Sequence, residues 1–377
     1  MPGVITDLAY DAIAPGLTTE VVSDYETFAR LQPEWNDVAR RAQASSPFLL
    51  HEWFRTWWDS FGTGHTLQVV IARDRDGIVG IAPLMVEQVH MYGLPIRRLD
   101  LLHNDHTPRA DWIVDRSAPA AYAALWNALQ ETRGRWDLLQ LSRLPHDSPT
   151  LPAIAGLARR TGCLTGTWRG DVSPYLTLSG SCDSYLASLP AKFRSNLRNR
   201  LSRLTRIGEP RLEIVDRDGD GQACEDAMRL EASGWKAHAH TSIASSAPVQ
   251  RFYRLLAERA AARGWLRLLF LTVGGRRIAT SYAACFDGTL FLVKTGYDPE
   301  FSACAPFKVL TYLAIQHAYA EGLREIDFLG DTEAWKLEWT DTSRPHDWLF
   351  VFADTIRARL LHSLKFQVAP ELKRWRA

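Results

Sequence analysis

The chain carries one order of elements twice, and that repetition limits the folds open to it more than its composition does. In the second half, WLRLLFLTV (265–273) and RIATSYAACF (277–286) are apolar, β-rich runs joined by Gly274-Gly275, and Asp287-Gly288 leads into TLFLVKT (289–295). Runs joined by glycine-rich dipeptides predict a hairpin extended into an antiparallel meander. The irregular segment GYDPEFSACA follows. Pro306 then opens a helix with Val309, Leu310, Leu313, Ala314 and His317 on one face, Gly322 stops it, and REIDFL is a short strand.

In the first half, LQVVIAR, the turn DRDG and IVGIAPLMVEQ precede a helix, AAYAALWNALQETRG, entered through Ala118-Pro119, and then the strand WDLLQLS. Hairpin to final strand takes 67–142 in one copy and 266–329 in the other. This spacing predicts an internal duplication of a mixed α/β unit. Helical patterns precede each hairpin: ETFARLQPEWNDVARRAQ and PFLLHEWFRTWWDSFG in the first half, QACEDAMRLEASGWKA and VQRFYRLLAERAAARG in the second. Gly170, Pro174 and Gly180 cluster in TWRGDVSPYLTLSGS and predict a junction there. The expected division is a tail over 1–24, a degenerate unit for acceptor recognition over 25–172, and an active unit over 173–377.

With 377 residues, 46% of them hydrophobic, the chain can bury two cores. Most of its 14 tryptophans are expected in them. A formal net charge of +1 gives no global pull toward nucleic acid or membrane, so anion binding falls to local patches, and DNA is not an expected partner. AKFRSNLRNRLSRLTRIG (191–208) is such a patch, with six positive charges from Lys192 to Arg206 and no acid before Glu209. Phe193, Leu197, Leu201 and Leu204 give this helix an apolar stripe, so its arginines occupy the other faces.

The five cysteines (Cys163, Cys182, Cys224, Cys285, Cys304) are odd in number and contain no CxxC pair, which argues against a disulfide framework or structural zinc and fits a reducing, cytoplasmic compartment. No basic-then-apolar leader opens the sequence, and no run of about eighteen apolar residues suggests a membrane span.

Four blocks in order, AKFRSNLRNRLSRL, RFYRLLAERAAARGWLRLLFLTVGGRRIATSYAACF, GYDPEFSACAPFKVLTYLAIQHAYAEGLREIDFLGD and EAWKLEWTD, resemble the GNAT-superfamily acetyltransferase domain of CelD-like (cellulose-biosynthesis-associated) and BioF-like proteins, whose relatives are the Fem-type aminoacyl transferases. The resemblance covers roughly residues 180–350; the first half is matched mostly by architecture. It implies an α/β fold of tandem GNAT-like (acyl-CoA N-acyltransferase) mixed sheets with flanking helices. It also implies acyl transfer from a thioester or ester donor to an amine, occasionally a hydroxyl. The donor is expected to be acetyl-CoA or another acyl-CoA, and the acceptor a small-molecule, glycan or peptide amine.

A coenzyme A donor needs a pyrophosphate site, and the loop-to-helix junction APFKVL offers one through Pro306, Phe307, Lys308 and Val309. Amide groups at a helix N-terminus attract anions, and Lys308 places a positive charge where the helix dipole prefers an acid. A merely solvent-exposed Lys308 is the alternative. Relatives carry a glycine where this chain has Phe307, a change that narrows or redirects the donor site. By the resemblance, LVKT and EIDFL lie side by side and splay apart, which puts Val293 and Thr295 along the donor's amides.

Candidate catalytic groups concentrate in DFLGDTEAWKLEW. Asp331 is the first choice as acceptor of the ammonium proton, whereas Asp327, alternating with apolar neighbours, reads as the anchor of a buried network. In Fem-type relatives an aromatic-lysine pair lies near the donor carbonyl, and Trp335-Lys336 matches it. Lys336 then either stabilises the oxyanion or holds the fold through Glu333 or Glu338. Tyr297 either protonates the leaving thiolate or packs on the sheet. Arg194, Arg198 and Arg203 are candidate contacts for an anionic donor or acceptor.

LLHNDHTPRAD brings His103, Asp105, His106 and Asp111 together, and WKAHAH contains His238 and His240. Neither has the paired spacing of a metal site, so none is expected; an acceptor-binding loop with His103, Asp105 and Arg109 is the better use of the first. Cys304 as a covalent nucleophile lacks a nearby histidine in sequence. No GxSxG or P-loop motif occurs. Two alternatives stay open: aminoacyl-tRNA-dependent transfer of the Fem kind, against which no coiled-coil-like arm is visible, and an inactive binding module, suggested by Phe307.

Overall fold

The computed structural model describes residues 16–219, 221–233 and 243–369. They pack as two units, one of residues 16–44, 48–171 and 345–369, the other of 45–47 and 172–344.

The chain begins with β1 (Thr18–Val22), α1 (Tyr25–Arg30), α2 (Gln32–Arg41) and α3 (His51–Phe61), then β2 (Thr66–Asp74), β3 (Gly77–Met91), β4 (Leu94–Leu101) and β5 (Ile113–Val114). Helix α4 (Ala121–Glu131), β6 (Leu138–Pro145), α5 (Thr150–Arg160) and β7 (Leu164–Thr177) follow. Next come α6 (Cys182–Ser188), α7 (Ala191–Thr205), β8 (Pro210–Val215), α8 (Gln222–Ala232), α9 (Ala247–Ala262), β9 (Leu266–Val273), β10 (Arg276–Phe286) and β11 (Thr289–Tyr297). The last elements are α10 (Pro306–Ala320), β12 (Glu325–Asp327), α11 (Ala334–Leu337), β13 (Ser343–Phe352) and α12 (Ile356–Ser363).

Both units have the same sheet. The first orders its strands β1-β2-β3-β4-β6-β13, with β5 beside β3; the second orders β8-β9-β10-β11-β12-β7. Neighbours on these paths are antiparallel except one pair per unit: β4 with β6, and β11 with β12. Each parallel pair is bridged by a helix, α4 or α10, as a parallel connection requires. The duplicated α/β architecture is therefore present strand for strand, including a β4 that stands out less in LPIRRLDL than its counterpart β11 does in sequence.

The first sheet takes its final strand from beyond the second unit, and the second takes its own from the end of β7, a strand that begins in the first unit. β13 lies antiparallel to β6, while β7 reaches β12 through Tyr175–Thr177. Apart from residues 45–47, the chain thus changes unit twice, inside β7 and again near residue 344, where the sequence suggests one change near 172. The expected junction in TWRGDVSPYLTLSGS falls where the chain changes unit, between residues 171 and 172; Gly170 and Pro174 lie within β7 there, and Gly180 lies beyond it. Gly170 is there for close packing: a Cβ on it would lie 2.7 Å from the Trp348 indole. Residues Thr18–Val22, inside the expected tail, pair with β2 as β1, as their β-branched TTEVV composition favours.

Each unit has its own core. Val70, Leu84, Leu99, Leu125, Trp126, Leu139 and Phe350 belong to the first; Leu269, Ile278, Leu292, Leu310, Ile315, Ile326 and Trp339 to the second. Trp35, Trp53, Trp57, Trp126, Trp136 and Trp339 are fully buried, so these tryptophans serve packing. On α7, Leu197 and Leu204 are buried with Phe193 and Leu201 packed beside them, which leaves the arginines on the remaining faces.

Candidate active site

In the second unit, β11 and β12 pair only over Thr289–Phe291 against Glu325–Asp327. On its other side β11 slips register: Ala283 faces Leu292 and Tyr282 faces Lys294, leaving Val293 as the extra residue of a bulge. A bulge bends the strand that carries it, and this one falls where the parallel pairing ends. Gly296 then meets α8. A Cβ there would lie 2.3 Å from Glu231 Cα and 2.6 Å from the Leu230 carbonyl oxygen, so only glycine admits the helix this closely. Ser233 Oγ ties the same helix end to the strand by donating to the Tyr297 carbonyl at 3.0 Å.

A cavity of about 300 Å³ opens at this end of β11. Thr295, Gly296 and Tyr297 of β11 line it together with Glu231 of α8, Ser302, Ala305, Phe307 and Lys308 around the start of α10, and Glu333 and Trp335 of the loop entering α11. Asp298 caps a short 3₁₀ turn, Pro299–Cys304, by accepting from the Glu300 N–H at 3.0 Å. Ala305 follows in the left-handed region at φ 45° and sets the sharp entry into α10. Lys308 is ion-paired with Glu338, and its ammonium lies 5.8 Å over the Phe193 ring. A carboxylate partner thus accounts for a lysine placed against the helix dipole. Phe307 packs edge-on against Trp335, ring centroids 4.8 Å apart, and narrows the cavity.

The loop after β12 is held from within. Asp327 is fully buried; its Oδ1 accepts the Leu329 N–H at 2.9 Å, and its Oδ2 lies 3.6 Å from Arg344 Nη1. It anchors a buried network, as its alternation with apolar neighbours suggests. Leu329 and Gly330 both turn through positive φ, 53° and 56°. Lys336 Nζ, buried beneath this turn, donates to the Leu329 and Asp331 carbonyls at 2.7 and 2.9 Å and lies 3.5 Å from Glu333 Oε2. The Trp335 indole N–H donates to the same Glu333 carboxylate. Lys336 therefore shapes the wall that Trp335 and Glu333 present. Asp331 is exposed and contributes its main-chain carbonyl to Lys336; it is not among the residues lining the cavity.

The carboxylate missed from sequence is Glu231. It is 1% exposed, lines the cavity and accepts the Ile243 N–H at 2.7 Å. The usable signal was its position: Glu231 continues the apolar stripe of α8 through Cys224, Ala227 and Met228, where an acid has no bland reason to sit.

Other candidates do not converge on this cavity. At about 3.6 residues per turn, Arg194 and Arg198 share a flank of α7 while Arg203 falls roughly half a turn from Arg194; its Nη1 donates to the Ala303 carbonyl at 3.2 Å. Cys304 is buried at the end of the 3₁₀ turn. His103 and Asp105 belong to the first unit: His103 Nε2 lies 3.1 Å from Asp100 Oδ1, and Asp105 accepts from Arg143 Nη2 at 2.9 Å. Buried Arg109 donates from Nε to His346 Nε2 at 3.0 Å. Asp111, beside the Ser148 and Thr150 hydroxyls, is pushed up to about 6 by burial. His238 and His240 lie outside the described residues.

A bulged strand splayed from its parallel neighbour, with a helix N-terminus beside the gap, occurs in a fold built twice. That is a tandem GNAT architecture. Residues 191–337, from the first residue of α7 to the last of α11, match the acetyltransferase (GNAT) domain family. No curated protein matches the chain by sequence.

Solved structures share the fold at low identity. FemX superposes with a TM-score of 0.59 at 12% identity, over 87% of this chain and 97% of FemX. The C-terminal DUF2156 domain of an Agrobacterium fabrum protein, provisionally assigned as a lysylphosphatidylglycerol synthetase, gives 0.52 at 12% identity over 89% and 97%. A Bacteroides thetaiotaomicron protein of unknown function gives 0.51 at 11% identity over 89% and 100%. Among the described residues no helix is long and apolar enough to cross a membrane.

Proposed function

We propose that the second unit transfers an acyl group, acetyl or longer, from acyl-coenzyme A to an amine by direct attack in a ternary complex. The observation that carries this reading is the cavity where the bulged end of β11 leaves β12 beside the N-terminal turn of α10. The strand edge beyond Phe291, along Val293 and Thr295, suits the amides of a pantetheine arm. The α10 amides with Lys308 suit its pyrophosphate, provided the donor takes Lys308 from Glu338.

In the reaction the amine nitrogen bonds to the thioester carbonyl carbon, and the carbon–sulfur bond then breaks. Glu231, buried and on the cavity wall, accepts the ammonium proton directly or through a water; we assign it this role in place of Asp331. The Tyr297 hydroxyl is the group available to protonate the departing thiolate. Phe307 and Trp335 exclude water from the thioester, and Lys336 fixes Trp335 and Glu333 without touching substrate. The acceptor class is a small-molecule, glycan or peptide amine.

Thermal unfolding with acetyl-CoA, palmitoyl-CoA and free coenzyme A tests the donor. At least one should raise the unfolding midpoint by several degrees. Glu231→Gln should keep that rise while lowering thiol release with an amine panel by about 10²- to 10⁴-fold. If none of the three stabilises the protein, the coenzyme A reading fails, and an aminoacyl-ester donor of the Fem kind or an inactive binding module replaces it.

A further inference from the structure

Five of the large apolar side chains left exposed among the described residues belong to one assembly in the first unit. Leu164 and Trp168 lie on β7, and Ile356, Leu360 and Val368 lie on α12 and the π-helical turn that continues it; Ile356 is 90% exposed. The two segments pack directly. Phe366 occupies the space over Gly166, where a Cβ would lie 2.2 Å from its ring, and its ring is 5.9 Å from Trp168. His362 Nε2 lies 3.3 Å from the Thr165 carbonyl. Ile356 and Leu360 stand one turn apart, so their exposed sides share a face.

The charge on this segment is as uneven as its polarity. From Ile356 to Ala369 there are three basic side chains, Arg357, Arg359 and Lys365, and no acid, in a chain whose net charge is +1. Lys365 is itself drawn into the apolar cluster, its ammonium 3.4 Å over the Trp168 ring and 4.2 Å over Phe350. Arg133 and Arg359 both pair with Asp354, at 3.1 and 2.7 Å, and Arg357, next to Ile356, has no acidic partner among the described residues.

We propose that this face docks on an anionic lipid surface, with α12 lying in the interface plane. A half-exposed indole, aliphatic side chains along one helix face and a surplus of basic residues beside them are what the headgroup boundary of an anionic bilayer takes up. A second copy of the chain fits worse, because a two-fold contact would bring the like-charged segments together. The proposal is independent of the transferase reading, since no residue of the candidate active site takes part.

Co-sedimentation of the full chain with phosphatidylcholine vesicles, with and without phosphatidylglycerol, tests it. Binding should require the anionic lipid and weaken as salt shortens the Debye length. The double substitution Ile356→Ser with Leu360→Ser should cut partitioning about tenfold or more, with the unfolding midpoint nearly unchanged because both side chains are exposed. Arg357→Gln should reduce binding several-fold and flatten its salt dependence. Equal partitioning into neutral and anionic vesicles, no partitioning into either, or full binding by the serine pair would each overturn the proposal. A concentration-dependent dimer abolished by the serine pair, without vesicle binding, would also overturn it and assign the face to a second copy.

Discussion

The two units build the same sheet and then treat the end of its parallel strand pair in opposite ways. In the first, the segment beyond β4 brings polar groups that pair with one another near the strand ends. Asp100 holds His103, the Ala110 N–H reaches the Arg143 carbonyl at 3.5 Å, Arg109 meets His346, and Asp111 sits between hydroxyls. In the second, a bulge at Val293 and a glycine at 296 leave a cavity. The two units share the frame and differ in the groups that stand at the end of its parallel pair.

The comparison breaks most readily at Gly296. Gly296→Ala should drive α8 off β11, lower stability by about 2–4 kcal/mol and reduce acyl transfer at least 100-fold; urea unfolding and thiol release measure the two. Retention of both would mean that the close approach of α8 does not shape the cavity. A smaller effect is expected at Lys336, where Lys336→Met strands the buried Leu329 carbonyl and the part-buried Asp331 carbonyl and should cost about 2–3 kcal/mol. Coenzyme A should then bind more weakly because Trp335 loses its support.

In the first unit, stability should respond to pH at Asp111. Burial raises the Asp111 carboxyl from 3.8 to about 6, so ionising it penalises the folded state. That penalty is absent below pH 3.8, grows as pH rises through 6 and is constant above. Asp111→Asn should therefore stabilise the protein by up to about 3 kcal/mol at pH 7 and by nothing near pH 3.5, as unfolding midpoints at the two pH values will show. The smallest change is expected on α7: Arg203→Gln, which removes one exposed contact to the Ala303 carbonyl, should stay within about 0.5 kcal/mol of wild type.

The frame was legible because it rests on local signals. Glycine-rich dipeptides mark the β9–β10 and β10–β11 turns, Pro306 and Gly322 bracket α10, and apolar spacing marks the buried stripe of α7. The site was only partly legible because its contacts join distant segments. Phe307 and Lys308 do line the cavity, but Lys308 meets Glu338 thirty residues on, and Lys336 folds back under a turn whose two positive-φ residues, Leu329 and Gly330, carry no strong motif. Glu231 was hidden among the other acids of α8, and only its place on the apolar side distinguishes it.

The crossed final strands set an order of assembly during synthesis. The first unit's sheet stays one strand short until β13 has left the ribosome, after the whole second unit, whereas the second unit's sheet receives β7 before any of its own strands exist. The half made first is thus the last to be finished. A cut between the two repeats would leave the first sheet without β13, while the β7 residues that pair with β12 stay with the second unit.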